Sequence, residues 1–250
     1  MRIKYLIIIL LLFPSLLVKS QEKENDEARA IPFLYPTYAF HVPKGDFADR
    51  FGLSSDIGAG FGFKTKSNWE FGIEGNYLFS DKVNDDPLKN ISREDGQITN
   101  RYGETAIIYF RLNGFHAKAT IGKIIPVDQN NRNSGVYLRG SVGMLQHKIF
   151  IANDGNNVPQ ILDDYTQGYD RLCNGVAVSE FVGWKHFSKK NFYHFFGGIE
   201  FTQAFTQNRR IWDFETNQKI ENQRTDLLYS VRVGVLILLK SRPANEYYYF

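Results

Sequence analysis

The chain has little with which to cross-link itself or to hold a metal. Its 250 residues include one cysteine, Cys173, which excludes an internal disulfide framework. There is no HExxH, no CxxC and no GxSxG, so the common metalloprotease, redox and hydrolase signatures are missing. Basic residues outnumber acidic ones by only three, too small a bias to argue for nucleic acid. Beyond the N-terminal run, no segment is apolar enough for a transmembrane helix. Gly58-Ala59-Gly60-Phe61-Gly62 has a superficial likeness to a dinucleotide loop, but its third glycine is misplaced and no helix follows. No cofactor and no metal are expected.

What is present begins with export. MRIKYLIIILLLFPSLLVKSQ places Arg2 and Lys4 before an apolar run, Leu6–Val18, that ends at the small residue Ser20. This is the layout of a signal peptide over residues 1–20, with cleavage before Gln21. The run is shorter than the roughly 20 residues a spanning helix needs, and Pro14 interrupts it. Residues 21–30 are charged and without apolar periodicity, and read as a flexible periplasmic leader.

The remaining chain alternates. In Asp226–Leu239, the residues Leu227, Tyr229, Val231, Val233, Val235, Ile237 and Leu239 share one face of an extended strand, opposite Ser230, Arg232 and Gly234. That row has about the 9–11 residues of a tilted membrane-crossing strand. Eight such strands can be marked: Phe33–Val42, Ser54–Lys64, Trp69–Phe79, Phe115–Ile125, Val136–Phe150, Gly175–Phe187, Phe192–Phe205 and Thr225–Leu239. Short polar turns (Thr65–Asn68, Pro126–Gly135, Ser188–Asn191) alternate with long connections (Pro43–Leu53, Ser80–Gly114, Ile151–Asn174, Thr206–Arg224). Trp69, Tyr77, Trp184, Tyr193 and Tyr229 sit toward strand ends, where amphipathic rings prefer the headgroup level. The expected fold is all-β: an eight-stranded, antiparallel, up-and-down transmembrane barrel over residues 31–240, with tight periplasmic turns and external loops. A soluble barrel or sandwich would also alternate. Signal peptide, loop asymmetry and aromatic girdles together favour the outer membrane and its lipid. Glu104–Leu112 is assigned to a short helix or loop element within the second external loop, because a ninth strand would disturb the count.

If apolar rows face lipid, Glu70, Glu74, Lys118, Arg139, Glu200 and Arg232 point inward. Isolated buried charges are costly, so these six should pair into a network. An eight-stranded barrel has room inside only for side chains, so the interior is plugged rather than porous.

Polar chemistry gathers at the external end. Tyr169, Asp170 and Arg171 precede the sixth strand, and Arg209, Arg210 and Trp212 follow the seventh. The arginines could hold a phosphate or carboxylate and an aromatic ring could stack on it. Against this, Asp170 could pair with an arginine simply to order the loop, and that reading is preferred. Asp85-Asp86 and Asp163-Asp164 are acidic pairs of the kind usually just solvated. For a lipid hydrolase, Ser141, His147 and Glu180 are conceivable, yet Ser141 and His147 lie about 20 Å apart along one strand.

With Gly122-Lys123-Ile124-Ile125-Pro126, Gln146-His147-Lys148, GYDRLCNG and FTQNRR in place, the chain resembles the small outer-membrane β-barrels of bacteria that use type IX (Por) secretion. The resemblance implies a barrel from about Phe33 to Leu239 and, for some such proteins, an accessory place in secretion assemblies. Barrels of this kind often end on an aromatic residue of the last strand, whereas here residues 241–250 form a periplasmic tail ending Tyr247-Tyr248-Tyr249-Phe250. The resulting expectation is a non-enzymatic structural or interaction component of an envelope or secretion complex. Its rivals are a receptor for an anionic glycan or lipid headgroup and, behind it, a lipid-modifying enzyme. The partner and the oligomeric state are not legible.

Overall fold

The computed structural model describes residues 29–129, 131–188, 193–218 and 223–239. The expected signal peptide, all of the leader but its last two residues, and the tail at 241–250 lie outside the described residues.

Eight long strands form one antiparallel sheet: β1 (Ile31–Gly45), β2 (Ser54–Lys64), β3 (Trp69–Ser80), β4 (Ile108–Pro126), β5 (Gly135–Asn153), β6 (Cys173–His186), β7 (Phe195–Asn208) and β8 (Gln223–Val235). Each pairs with the next, and β8 returns to pair with β1, so no edge is left unpaired. A two-residue strand, β9 (Ile237–Leu238), continues β8 against β1 in the same register. Register partners traced once round the ring run from Tyr35 through Gly60, Glu74, Lys118, Gly143, Ala177, Ala204 and Asp226. The path re-enters β1 at Gly45, ten residues beyond its start. That stagger tilts the strands and closes the cylinder. Both described chain ends, the three tight connections and the C-terminal end of β8 lie at one rim; the four longer connections lie at the other.

Alternation decides which side chains line which surface. Tyr229, Val231, Val233, Val235, Ile237 and Leu239 face outward, while Ser230, Arg232 and Gly234 are buried. On β3, Trp69, Phe71, Ile73, Tyr77 and Phe79 face out and Glu70, Glu74 and Asn76 face in. Trp69 and Trp184 lie at the tight-turn ends of their strands and Tyr77 near the other end of β3, whereas Tyr229, expected near a strand end, is the middle residue of β8, and Tyr193 lies in the connection before β7. A sheet this apolar on its outer surface and ionic on its inner one is a transmembrane β-barrel, since water outside would leave its largest side chains exposed for no gain.

The interior has three storeys. Near the tight turns, Phe33, Tyr35, Ile124, Tyr137, Phe181, Phe187, Phe196 and Leu236 pack together. Charged residues fill the waist. Toward the long loops, Leu78, Leu112, Leu145 and Ile149 from the wall meet Phe47, Phe51, Leu88, Val158 and Ile161 from the connections. Phe47 belongs to the one α-helix among the described residues, α1 (Asp46–Arg50), and Phe51 follows it; both rings are wholly buried in the barrel mouth.

The assignment of Glu104–Leu112 is corrected. Ile108–Leu112 is the first part of β4, laddered to β5 from Ile108↔Asn153 to Leu112↔Ile149, and only residues 104–107 stay in the loop. Asn113-Gly114 has the composition of a turn, yet it continues the strand. A Cβ on Gly114 would lie 2.8 Å from the Gln146 carbonyl oxygen, so the glycine serves close inward packing instead of reversal. The strand does not stop where the membrane does, and β4 with β5 projects past the rim without adding to the strand count.

Candidate functional site

The waist carries the densest chemistry. All six inward charges are buried, and five of them join in one cluster. Lys118 Nζ lies 2.6 Å from Glu200 Oε1 and 3.2 Å from Glu74 Oε1. Arg139 donates Nη1 to Glu74 Oε2 and Nη2 to Glu200 Oε2, each at 2.8 Å. Arg232 Nε is 2.8 Å from Glu200 Oε2, an ion pair outside hydrogen-bond angle, while its Nη2 donates to Asp56 Oδ2 at 2.6 Å. Three carboxylates, on Asp56, Glu74 and Glu200, thus meet three cations, so the cluster itself carries no net charge into the low-dielectric interior.

Glu70 is the exception. Its oxygens take Lys185 Nζ at 2.5 Å and the Tyr137 hydroxyl, one storey nearer the tight turns. The Lys185 ammonium also lies 4.4 Å from the ring centres of both Phe33 and Tyr137. Sequence reading missed Asp56, His41 and Lys185. Asp56 shares its strand face with Gly58 and Gly60, a parity that could have found it. His41, 3.0 Å from Asp56 on the neighbouring β2 and 2.6 Å from Ser230 Oγ, depends on ring closure for its contact with Ser230 on β8.

A second buried constellation lies toward the mouth. His147 Nε2 sits 2.9 Å from Asp226 Oδ2, which also accepts from Thr206 Oγ1 at 2.5 Å. The rings of Phe47 and Phe51 stand edge-on to this imidazole at 5.0 and 5.5 Å. His147 is therefore a packed core histidine. Ser141 also faces inward, whereas Glu180 faces outward among Val178, Val182 and Phe201. The three residues weighed for hydrolysis are not brought together.

The loop residues are brought together, mostly with one another. Asp170, buried, accepts from Arg210 Nε at 2.7 Å and Nη2 at 2.5 Å. That bonding holds the Arg210 guanidinium above its ordinary value. Arg171, with φ of 49°, donates to Asp85 and Glu215 and lies 3.5 Å from Asp213. Burial pushes the Glu215 carboxyl up, with Arg171 opposing. Tyr169 is buried against the Phe214 ring at 5.4 Å. Arg50 donates to Cys173 Sγ at 3.0 Å, tying α1 to β6. Arg209 donates Nε to Asn174 Oδ1 at 2.5 Å, and Trp212, largely exposed, donates Nε1 to Asn217 Oδ1 at 3.2 Å. Arg171 and Arg210 are thus loop fasteners, and only Arg209 and Trp212 of the six present themselves outward.

No protein-family model matches the chain, and no curated protein matches it. Among solved structures it is similar to Ail, the attachment invasion locus protein of Yersinia pestis, in complex with the heparin analogue sucrose octasulfate, at 9% identity over 84% of this chain and 99% of that one, with a TM-score of 0.43. It is also similar to the outer membrane protein OprG from Pseudomonas aeruginosa, at 12% identity over 86% and 99%, TM-score 0.32. Outer membrane protein W of E. coli matches at 10% identity over 83% and 98%, TM-score 0.36.

Proposed function

We propose that this chain is a sealed outer-membrane barrel that serves as a non-enzymatic structural or interaction component of an envelope or secretion complex. The observation that carries this reading is the blocked lumen: an ion cluster at the waist with an apolar plug on either side. Side chains so arranged give solutes no path. The folded external cap, with Tyr102, Tyr165 and Ile211 standing exposed on it, is the surface for a partner. Ser141 and His147 share the inward face six residues apart and Glu180 faces outward, so the three do not assemble, which supports a role without catalysis. The link to type IX secretion rests on the sequence resemblance. The rival reading, capture of an anionic glycan in the loops, loses Arg171 and Arg210 to internal carboxylates.

Planar-bilayer recording of the reconstituted chain should show little steady conductance; large stable openings would defeat the sealed lumen. Affinity isolation from detergent-solubilised outer membranes should recover a partner in wild-type cells and lose it when Tyr102, Tyr165 and Ile211 are together replaced by serine. Recovery undiminished by that change would remove the cap as the contact surface.

A further inference from the structure

The outer wall is not uniform around the barrel. On β8, β1, β2 and β3 the outward residues along the middle of each strand are apolar or small, such as Val231, Tyr38, Ile57 and Ile73. On β5, β6 and β7 the loop-end part differs. Gln146, Asn174 and Gln207 are register partners on the outer surface, making a row of three amides across three strands. Two residues further toward the loops on the same faces stand Lys148 and Arg209. The Arg209 amide donates to the Leu172 carbonyl at 2.8 Å, so register is kept past the end of β7. Their backbones are therefore two strand spacings apart, about 10 Å, a gap that two long side chains can close around one anion.

We infer that Lys148 and Arg209 form an external binding site for the phosphate of a net-anionic lipid headgroup in the surrounding leaflet, one whose charge no headgroup ammonium cancels. Asn174 holds Arg209 by Nε at 2.5 Å, and a guanidinium carries further donors on its Nη atoms. Lys148 Nζ stands 3.9 Å from Asp170 Oδ2, but both oxygens of Asp170 already accept from Arg210. Arg210 also donates Nη1 to Gln167 at 3.1 Å, which fixes it as the counter-ion of Asp170. Lys148 and Arg210 thus approach one buried carboxylate, which Arg210 already neutralises, while Arg209 is bonded to the Asn174 amide and stands on the outer surface. Beneath the amide row lie Met144, Val176 and Phe205, in register and exposed. Cations, then amides, then an apolar wall is the vertical order of a phosphorylated amphiphile, whose phosphate, ester or sugar groups and acyl chains occupy those levels. Free phosphate would use only the first. At the same rim Lys44 of β1 is a single outward cation paired in register with Leu227, and Arg111 is neutralised by Asp81 at 3.0 Å.

The site rests on the wall facing lipid and does not depend on what meets the cap. The test uses the full processed chain, folded in neutral detergent, with retained lipid counted by native mass spectrometry from equimolar phosphatidylglycerol and phosphatidylcholine. Wild type should retain phosphatidylglycerol selectively. K148Q/R209Q should lose about thirtyfold in that preference, from roughly 1 kcal/mol per basic side chain near a headgroup surface. K44Q should keep it. Excess inorganic phosphate should displace the lipid only weakly, because it cannot rest on Met144, Val176 and Phe205. Undiminished preference in K148Q/R209Q, confirmed folded by its heat-modifiable gel migration, would overturn the site, as would an equal loss in K44Q. Complete displacement by inorganic phosphate would make it a free-phosphate site and overturn the lipid. A processed chain soluble without detergent would instead remove the membrane reading itself.

Discussion

Ion pairs hold both the waist of the barrel and its mouth, and the two sets differ in what lies around them. At the waist, Glu74, Lys118, Arg139, Glu200 and Arg232 come from five strands, are cut off from water, and each charge touches at least two of opposite sign or its equivalent. At the mouth, Asp170–Arg210 and Arg171–Glu215 join loop to loop, with Arg210 and Glu215 partly in water. The same chemistry therefore does two jobs. A buried cluster makes removal of any member expensive without adding much net stability, whereas a half-exposed pair sets loop geometry at low energy.

The largest effect should come from breaking the waist. Arg232→Met leaves Asp56, Glu74 and Glu200 facing two cations, and the barrel should lose about 3–5 kcal/mol of unfolding free energy in a denaturant titration in lipid. A loss below about 1 kcal/mol would mean that water or a proton compensates and the cluster is not the seal described.

Next comes the wall. Glu180 is an outward carboxylate midway along β6, with apolar Val178 and Val182 on either side of it. Glu180→Val should raise stability in bilayers by roughly 1–2 kcal/mol, somewhat less than a basic residue at that depth would cost. No gain in lipid would show that the side chain is satisfied there by something other than acyl chains.

Smaller effects belong to the mouth. Arg210→Gln should cost less than about 1 kcal/mol and loosen residues 154–172 to limited proteolysis, with the difference from wild type shrinking at high salt. Salt-independent loosening would move Asp170–Arg210 into the buried class. The smallest effect is a pH dependence. Because burial raises the folded Glu215 carboxyl, ionising it costs more in the native cap than in the unfolded chain. This group's contribution to cap stability is therefore complete below the unfolded value of about 4.3 and is lost as pH rises through the higher folded value. Glu215→Gln should flatten cap proteolysis between the unfolded value and the higher folded one; an unchanged slope would assign the titration elsewhere.

Strand parity was legible because the period of two is local. Ser54–Lys64 has the bounds read from its sequence, and the faces of β3 and β8 follow from alternation alone. The first part of β4 was not legible, since Ile108–Leu112 becomes strand only by pairing with Ile149–Asn153. The loop arginines were legible as a group, but their partners Asp85 and Glu215 are 86 and 44 residues away from Arg171.

The sequence by itself determined that the wall is greasy outside and ionic inside, because each residue's side follows from its neighbours two positions away. It also placed long loops at one rim and tight turns at the other. Only the tertiary structure decided which charges meet. Glu70 and Glu74 share a face four residues apart, yet Glu70 pairs with Lys185 while Glu74 takes Lys118, Arg139 and Arg232. Those contacts are fixed by the stagger of the closed ring, a ten-residue offset that no single strand contains.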